Sequence, residues 1–315
     1  MIHQIVVNQH EWHIFLNRNA MHCRSSEYWK SIEAQLTSAQ VPYCCHYAQS
    51  QKEDAEVILN CCKNGVRHFV VVGGDGSLNF FIDNVVKSGI NISDIFVAVI
   101  PLGTGNDWAR SHHYPTKPQE AVTLFLNGKF ISHDVGKVVT KSAEGESIRH
   151  FINIAGFGFD AEVIQRTKVQ GNKTSSSMYL LSLLKTLFNY KSKKVSVLID
   201  GKLYDYELFT AAVGINQYNG NGMRQCPDAI CNDGFFQTVI IRKVGILKVL
   251  RNVGRLFKGT HVKLLKEVES FQSQEVQFIS TKNLLLGEVE GEMLSKGDYS
   301  VTLLPKRINL LTGIE

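Results

Sequence analysis

The apolar pattern changes character near residue 130. Before that point, short unbroken apolar runs alternate with stretches of helical period. Residues 2–8, 41–47, 66–72 and 95–100 read as strands. The runs Phe69-Val70-Val71-Val72 and Phe96-Val97-Ala98-Val99-Ile100 are continuous and β-branched, as in strands buried on both faces. Between strands, Tyr28, Ile32 and Leu36 share one stripe of a helix capped by Ser25 or Ser26 and ending near residue 39. Ala55, Ile58, Leu59 and Cys62 mark a second helix over 53–63, with Gly65 as its stop. Further helices are predicted over 77–87, just past Asn106, and over 119–126. This alternation predicts an α/β domain with a parallel sheet and helices on both faces.

After about Gly128 the pattern becomes strand-rich. Residues 131–139, 150–154, 194–199, 207–215, 235–241, 275–279 and 299–304 are strand-like, with loops such as Asp200-Gly201 and Asn232-Asp233-Gly234 between some of them. A largely antiparallel second domain is predicted, with a boundary within several residues of Ile131.

The two buried runs each lead into a glycine turn that carries acids. The first is Gly73-Gly74-Asp75-Gly76-Ser77. The second is Pro101-Leu102-Gly103-Thr104-Gly105-Asn106-Asp107-Trp108-Ala109-Arg110. In open α/β sheets, ligands bind where loops leave the carboxyl ends of strands. Glycine lets a ligand approach the backbone closely, and a helix starting at Ser77 turns its unpaired amides toward an anion. Asp75 inside such a loop repels phosphate unless a divalent cation bridges them, which implies Mg²⁺. Alone, a Gly-Asp-Gly is more often a tight strand-to-helix turn, and Asn106-Asp107 can equally be a helix cap. The Gly-x-x-x-x-Gly-Lys-Ser/Thr loop is absent, and Asn79 stands where the dinucleotide fingerprint needs its third glycine.

Together, and about thirty residues apart, the two turns closely resemble the diacylglycerol kinase catalytic family, specifically its soluble bacterial lipid-kinase branch. The resemblance extends over nearly the whole chain. It implies an ATP-binding α/β domain of the NAD-kinase and diacylglycerol-kinase type over 1–131, with 305–315 as a candidate completion, and a lipid-binding β-sandwich over 132–304. It also implies transfer of the γ-phosphoryl group of ATP to a hydroxyl of diacylglycerol or a related lipid, with Mg²⁺. By the match, Gly73, Gly74, Asp75, Gly76, Ser77, Leu78 and Asn79 line the ATP phosphates, with Gly103, Thr104 and Asn106 from the second turn. Asp75 sits near the catalytic Mg²⁺, and Asp107 joins or orients the acidic cluster.

His133-Asp134-Val135-Gly136-Lys137 resembles a segment whose Asp reaches the family's active-site cleft, which makes Asp134 a catalytic candidate; an Asp beside a strand end is otherwise a turn residue. The run from Asn153 to Asp160 matches a family strand-turn-helix read chiefly as structural. The run from Cys226 to Phe235 resembles a second metal loop, implying Mg²⁺ bound by Asp233 and the carbonyls of Ile230 and Phe235. Asn232-Asp233-Gly234 is also a strong hairpin signal. Glu288-Val289-Glu290-Gly291-Glu292 aligns with the family's Asp-Gly-Glu, implying Glu292 as general base. A positioned carboxylate suits that task, because a lipid alcohol is a poor nucleophile. Without the resemblance, two acids flanking a glycine read as a solvated hairpin tip.

Three departures stand out. The first strand of the family ends in an Asn-Pro-x-Ser-Gly-like nucleotide loop, whereas Asn8-Gln9-His10-Glu11-Trp12 keeps only Asn8. Gln49 and Ser50 stand where relatives place a nucleotide-touching Thr, and Glu290 replaces an Asp.

Length and charge change the picture little. At 315 residues two domains are expected, and a net charge of +5 allows anionic ligands or membrane surfaces without indicating nucleic acid. No apolar run reaches the roughly 18 residues of a membrane span. The first residues carry no signal-like segment, so a cytoplasmic protein is expected, with peripheral contact at the inner face of the membrane where it meets its lipid. A homodimer is a candidate assembly. The seven cysteines include the neighbours Cys44-Cys45 and Cys61-Cys62. Residues adjacent on a strand face opposite ways, so neither pair is expected to clip a metal, and reduced thiols are predicted.

Residues 244–258 have an apolar stripe of Ile246, Val249, Leu250, Val253 and Phe257 beside Lys248, Arg251, Arg255 and Lys258. That helix can lie on an anionic bilayer or pack on the sandwich. Residues 178–184, with lysines after them, read as a core helix or an acyl-groove wall. Two rival functions remain. An NAD kinase shares the first turn but not the second, and a non-catalytic lipid- or nucleotide-binding protein has only the altered first loop in its favour.

Overall fold

The structure is a computed structural model describing residues 2–17, 25–47, 50–103, 105–115, 117–169, 184–280 and 285–314. The chain divides into two compact units, Met1–Val135 with Leu304–Glu315, and Gly136–Leu303.

In the first unit the chain lays down β1 (Ile2–Gln4), β2 (Trp12–Leu16), α1 (Ser25–Ser38), β3 (Tyr43–His46), α2 (Gln51–Lys63), β4 (His68–Gly73), α3 (Asp75–Lys87), β5 (Phe96–Pro101), α4 (Asp107–Ser111), α5 (Pro118–Leu126) and β6 (Lys129–His133). Strands β3, β2, β4 and β5 are neighbours and run parallel. Buried Val70, Val71, Val72, Val97, Ala98, Val99 and Ile100 explain the unbroken apolar texture of the two central strands.

Residues 2–8 are not one strand. Strand β1 is a three-residue edge antiparallel to β6, and Val7–Gln9 forms a single 3-10 turn. Buried Val7 anchors that turn, its carbonyl accepting the Trp12 indole N–H at 2.9 Å. The first parallel strand is therefore β2, several residues later. Helix α3 begins at Asp75 rather than Ser77, because the Gly74 carbonyl already accepts the N–H groups of Ser77 and Leu78, at 3.0 and 3.1 Å.

The second unit holds β7 (Gly136–Ser142), β8 (Gly145–Phe151), β9 (Ile154–Gly158), α6 (Phe159–Val169), α7 (184–189), β10 (Lys193–Ile199), β11 (Lys202–Gly214), β12 (Phe236–Arg242), α8 (Ile246–Lys258), α9 (His261–Leu264), β13 (Val268–Ser273), β14 (Glu275–Ser280), β15 (Gly287–Val289), β16 (Glu292–Met293) and β17 (Gly297–Leu303). All eleven strands pair antiparallel in a β-sandwich-like arrangement. The predicted strand over 131–139 is two strands, since β6 belongs to the first sheet and β7 to the second. Long β11 pairs with β10 up to Leu208, slips register between Leu208 and Thr210, and then pairs with β9 and β12. Such a bulge bends a strand and lets one sheet turn over a shared core. That core holds Phe151, Phe157, Val197, Phe236, Phe278 and Tyr299, with the Phe157 and Phe278 rings stacked at 4.3 Å. The last strand, β18 (Ile308–Leu311), returns to the first sheet, parallel to β5 and antiparallel to β6.

On α8, Ile246 and Val249 pack against the cluster of Phe159, Val163, Leu187 and Phe209, while Leu247, Leu250, Val253 and Phe257 are exposed. The segments over 171–177 and 178–183 lie outside the described residues. No helix among the described residues is long and apolar enough to cross a membrane.

Candidate active site

Strands β4 and β5 end level, Gly73 opposite Pro101, so the two glycine turns leave the sheet side by side. They touch through bare backbone. The Leu102 N–H donates to the Gly73 carbonyl at 2.9 Å, and a Cβ on Gly103 would stand 2.6 Å from the Gly74 Cα. No side chain fits there, so glycine is required for the approach of one turn to the other. Asn106, in the left-handed region at φ 49°, ties its own turn down. Its Oδ1 accepts the Gly103 N–H at 3.1 Å and its Nδ2 donates to the Gly103 carbonyl at 2.8 Å.

Asp75 crosses from the first turn to the second. Its two carboxylate oxygens accept the backbone N–H groups of Asp107 (2.8 Å) and Trp108 (3.0 Å), satisfying the start of α4. Asp107 is buried and ion-paired with Arg110. Both carboxylates face Gly105. A Cβ built there would lie 3.6 Å from Asp75 Oδ2 and 3.9 Å from Asp107 Oδ2. Burial raises the Asp75 pKa, the two N–H donors pull it back, and the Asp107 charge pushes it up again. Two carboxylates converging on one glycine repel each other, and Arg110 offsets part of that charge; their oxygens are the hard donors that a divalent cation such as Mg²⁺ takes.

The other residues predicted from sequence in this unit are placed differently. Ser77 faces the site, receiving the Asn17 Nδ2–H at 2.6 Å. Leu78 and Asn79 point into the core, at 1% and 8% exposure. Thr104 and Gln49 lie outside the described residues. Ser50 caps α2 by accepting the Glu53 N–H at 3.2 Å. Asp134 is buried and paired with Arg307, and its carbonyl receives the His133 ring Nδ1 at 2.6 Å.

Asn8 is corrected. It sits before β2, at the amino ends of the strands, where neighbouring His10 stacks its ring at 4.1 Å on His68, the first residue of β4. The residue at the carboxyl end of β2 is Asn17, whose N–H donates to the Val72 carbonyl at 3.1 Å beside the first glycine turn. Its signal in the sequence was the apolar run Trp12-His13-Ile14-Phe15-Leu16 immediately before it.

In the second unit, β15 and β16 form a hairpin in which Val289 pairs with Glu292 across Glu290 and Gly291. Both loop residues are left-handed, at φ 52° and 81°, the signature of a type I′ turn. The three glutamates differ. Glu290 Oε1 accepts the N–H groups of Ile152 and Asn153, at 3.1 and 2.6 Å. Glu288 is wholly buried over Gly156 and accepts the Gly291 N–H at 2.7 Å. Burial pushes its pKa up to about 8, helped by the Asp160 and Glu292 charges and opposed by the Gly291 N–H and Asn219. Glu292 is exposed on β16.

Asp160 in α6 is likewise raised, to about 6, by burial, with Gln225 and Thr210 pulling back. Buried Glu288 and half-buried Asp160 form an acidic pair to which sequence reasoning gave no chemical role. Asn232-Asp233-Gly234 is not a hairpin tip, because it closes the long connection over 215–235 between β11 and β12. Asp233 Oδ1 accepts the Phe235 N–H at 3.0 Å, Gly234 is left-handed at φ 83°, and Ile230 is exposed. A carboxylate and main-chain carbonyls from one loop are the hard oxygen donors that suit Mg²⁺ or Ca²⁺.

Comparison with known proteins adds to this geometry. Residues 11–138 match the diacylglycerol kinase catalytic domain family, and residues 153–312 match the YegS C-terminal NAD kinase beta sandwich-like domain family. A probable lipid kinase YegS-like from Enterobacter sp. (strain 638) is 25% identical over 256 residues, 81% of each chain. A diacylglycerol kinase from Staphylococcus carnosus (strain TM300) is 26% identical over 271 residues, 85% of this chain and 82% of the relative. A crystal structure of a diacylglycerol kinase from Bacillus anthracis str. Sterne superposes with TM-score 0.73 at 18% identity, covering 96% of this chain and 97% of the other. The fold likeness reaches a yeast NADH kinase, with TM-score 0.53 at 10% identity, 96% of this chain and 83% of that one.

Proposed function

The chain belongs to the diacylglycerol kinase catalytic family and is a phosphotransferase, and from that membership we propose an ATP- and Mg²⁺-dependent lipid kinase. It transfers the γ-phosphoryl group of ATP to a hydroxyl of diacylglycerol or a related lipid. The observation that carries this reading is the pair of interlocked glycine turns whose carboxylates, Asp75 and Asp107, converge on Gly105.

In this reading, backbone amides at the start of α3 and around Gly103 hold the phosphates, where the lack of a Cβ allows close approach. Asp75 and Asp107 would hold the Mg²⁺, with Arg110 keeping Asp107 oriented; the chemistry supplied there would be neutralisation of phosphate charge. Asn17 fixes the Ser77 hydroxyl beside the donor, and Asp134 with Arg307 is a positioning pair. Glu292 takes the proton of the acceptor hydroxyl as its oxygen bonds to the γ-phosphorus and the bond to ADP breaks. Glu288 and Glu290 hold the hairpin that presents it. A cation at Asp233 with the carbonyls of Ile230 and Phe235 is structural.

The exposed Leu247, Leu250, Val253 and Phe257 of α8, next to basic Arg251, Arg255 and Lys258, support peripheral contact with an anionic bilayer.

The test is phosphoryl transfer from γ-labelled ATP with Mg²⁺, offered diacylglycerols, sphingoid bases and NAD. Label in the lipid extract is expected. Label appearing only in NADP would replace this reading with an NAD kinase, and lipid binding without transfer under any donor or metal would replace it with a binding protein.

A further inference from the structure

Away from the glycine turns, at the β3 edge of the first sheet, four soft ligand atoms gather around one point. Cys44 and His46 alternate on β3 and so share a face. His13 on neighbouring β2 stands in register with Cys44 and presents its ring to the same face. Helix α2 brings Cys61 down onto them. His13 Nδ1 and His46 Nε2 are 2.9 Å apart, and Cys61 Sγ lies 3.5 Å from the first and 3.8 Å from the second. The ligand atoms of His13, Cys44 and His46 all lie within 4.8 Å of one another.

These spacings are those of a coordination polyhedron. Around a tetrahedral cation with bonds of about 2.3 Å to sulfur and about 2.0 Å to nitrogen, a nitrogen and a sulfur sit roughly 3.5 Å apart and two nitrogens roughly 3.3 Å apart. The spacings among His13, His46 and Cys61 lie within about half an ångström of that arrangement, and Cys44 completes the group from within 4.8 Å of both imidazoles. The far nitrogen of His13 looks toward Glu11, with Nε2 to Oε2 at 3.9 Å. A carboxylate behind a ligating imidazole orients the ring and strengthens it as a donor.

We propose that His13, Cys44, His46 and Cys61 form a structural site for a zinc-class cation, distinct from the Mg²⁺ chemistry of the glycine turns. The donor set decides the class. Two thiolates and two imidazoles favour zinc, whereas magnesium takes oxygen. All four positions are filled by protein, so the site is closed and stabilises the fold without taking part in phosphoryl transfer. It joins β2, edge strand β3 and α2, and among the described residues β3 pairs only with β2. One cysteine of each neighbouring pair takes part. Cys45 points to the other face, which is why the pairs looked unsuited to metal when each was read alone.

The experiment uses the full chain, stripped with a chelator and titrated with Co²⁺ as probe. One equivalent is expected to give the strong visible bands of tetrahedral cobalt and a sulfur-to-cobalt charge-transfer band, both abolished by stoichiometric Zn²⁺, and Zn²⁺ is expected to raise the melting temperature. Cys61→Ser and His46→Asn should weaken cobalt binding at least tenfold, while Cys45→Ser should bind as the parent does. The wild-type titration stands alone should a ligand variant fail to fold. Weak octahedral-type spectra, no charge-transfer band at one equivalent, or loss of binding in Cys45→Ser would overturn the site. None of these readouts depends on kinase activity.

Discussion

The two glycine turns of the first unit and the Glu290-Gly291 hairpin of the second each present carboxylates, but by opposite means. In the turns, the proposed functional acids are themselves parts of the scaffold. Asp75 caps α4, Asp107 is locked to Arg110, and the chain on either side is held by glycine against glycine. In the hairpin the tasks are separated. Glu288 and Glu290 spend their oxygens on backbone N–H groups, and Glu292 stays exposed at the end of the turn. Acids that hold cations and phosphates gain from rigidity, because their partner is placed before reaction. An acid that must accept a proton from a lipid arriving from outside gains from access. This contrast divides the acids into those whose loss costs structure and those whose loss costs rate.

The largest expected effect tests that division directly. Glu292→Gln should lower kcat by roughly 10²- to 10⁴-fold while shifting the urea midpoint far less than Glu290→Ala does. A variant that turned over at the parental rate would remove Glu292 as base. Next, Gly103→Ala should cost about 1–3 kcal/mol and raise the KM for ATP, since its methyl meets the Gly74 Cα at 2.6 Å. Gly76→Ala is the matched control in the same site. Nothing lies within 4 Å of a Cβ built there, so its folding stability should be unchanged or slightly raised, whatever happens to ATP binding. Equal loss of folding stability in both alanines would mean that the turns are not held by the close approach of their backbones. In the hairpin, Glu290→Ala should cost about 1–3 kcal/mol by leaving the Ile152 and Asn153 N–H groups without their acceptor, read as a lowered midpoint in urea.

The sequence made the first unit easier to read than the second, for physical reasons. Strands buried on both faces are unbroken apolar runs, so β4, β5 and the turns after them stood out. Strand β2 was harder to place because His13 interrupts its run, and the better-looking apolar start at Ile2 drew the first strand, and with it Asn8, to the wrong end of the sheet. Asn17 is recognised only once β2 is known to be the inner strand. Strands β13, β15 and β16 are short or polar on one face and left no periodic signal. The three glutamates of the hairpin look alike in a row. Their separate roles come from the type I′ turn, which buries Glu288 over Gly156 and turns Glu290 toward residues nearly 140 positions earlier. The cysteine and histidine cluster was invisible for a similar reason, since its ligands come from three elements.

The smallest effect is the most specific to the hairpin. Glu288 is raised from 4.5 to about 8, and Asp160 from 3.8 to about 6. An acid whose folded pKa is raised keeps its proton in the native state after the unfolded chain has released it, so stability falls as pH rises. For Asp160 that loss is complete a little above pH 6, and for Glu288 it continues to about pH 8. These two groups therefore favour the fold more near pH 5 than near pH 8, while buried His68 and His133, each lowered to about 4 by burial, act in the opposite direction, so the carboxylate effect is read from the difference between variant and parent. Glu288→Gln keeps the shape of the side chain and removes the upper part of the slope. It should gain at least about 1 kcal/mol over the parent near pH 8 and nothing near pH 5, measured by urea unfolding across that range. Asp75 provides the contrast, because its raised pKa is opposed by two backbone donors, and Asp75→Asn keeps an acceptor oxygen for only one of them while turning an NH2 toward the other. That variant should be less stable than the parent at neutral pH. If Glu288→Gln left the slope intact, the buried proton would lie elsewhere and the hairpin would have to be held by Glu290 alone.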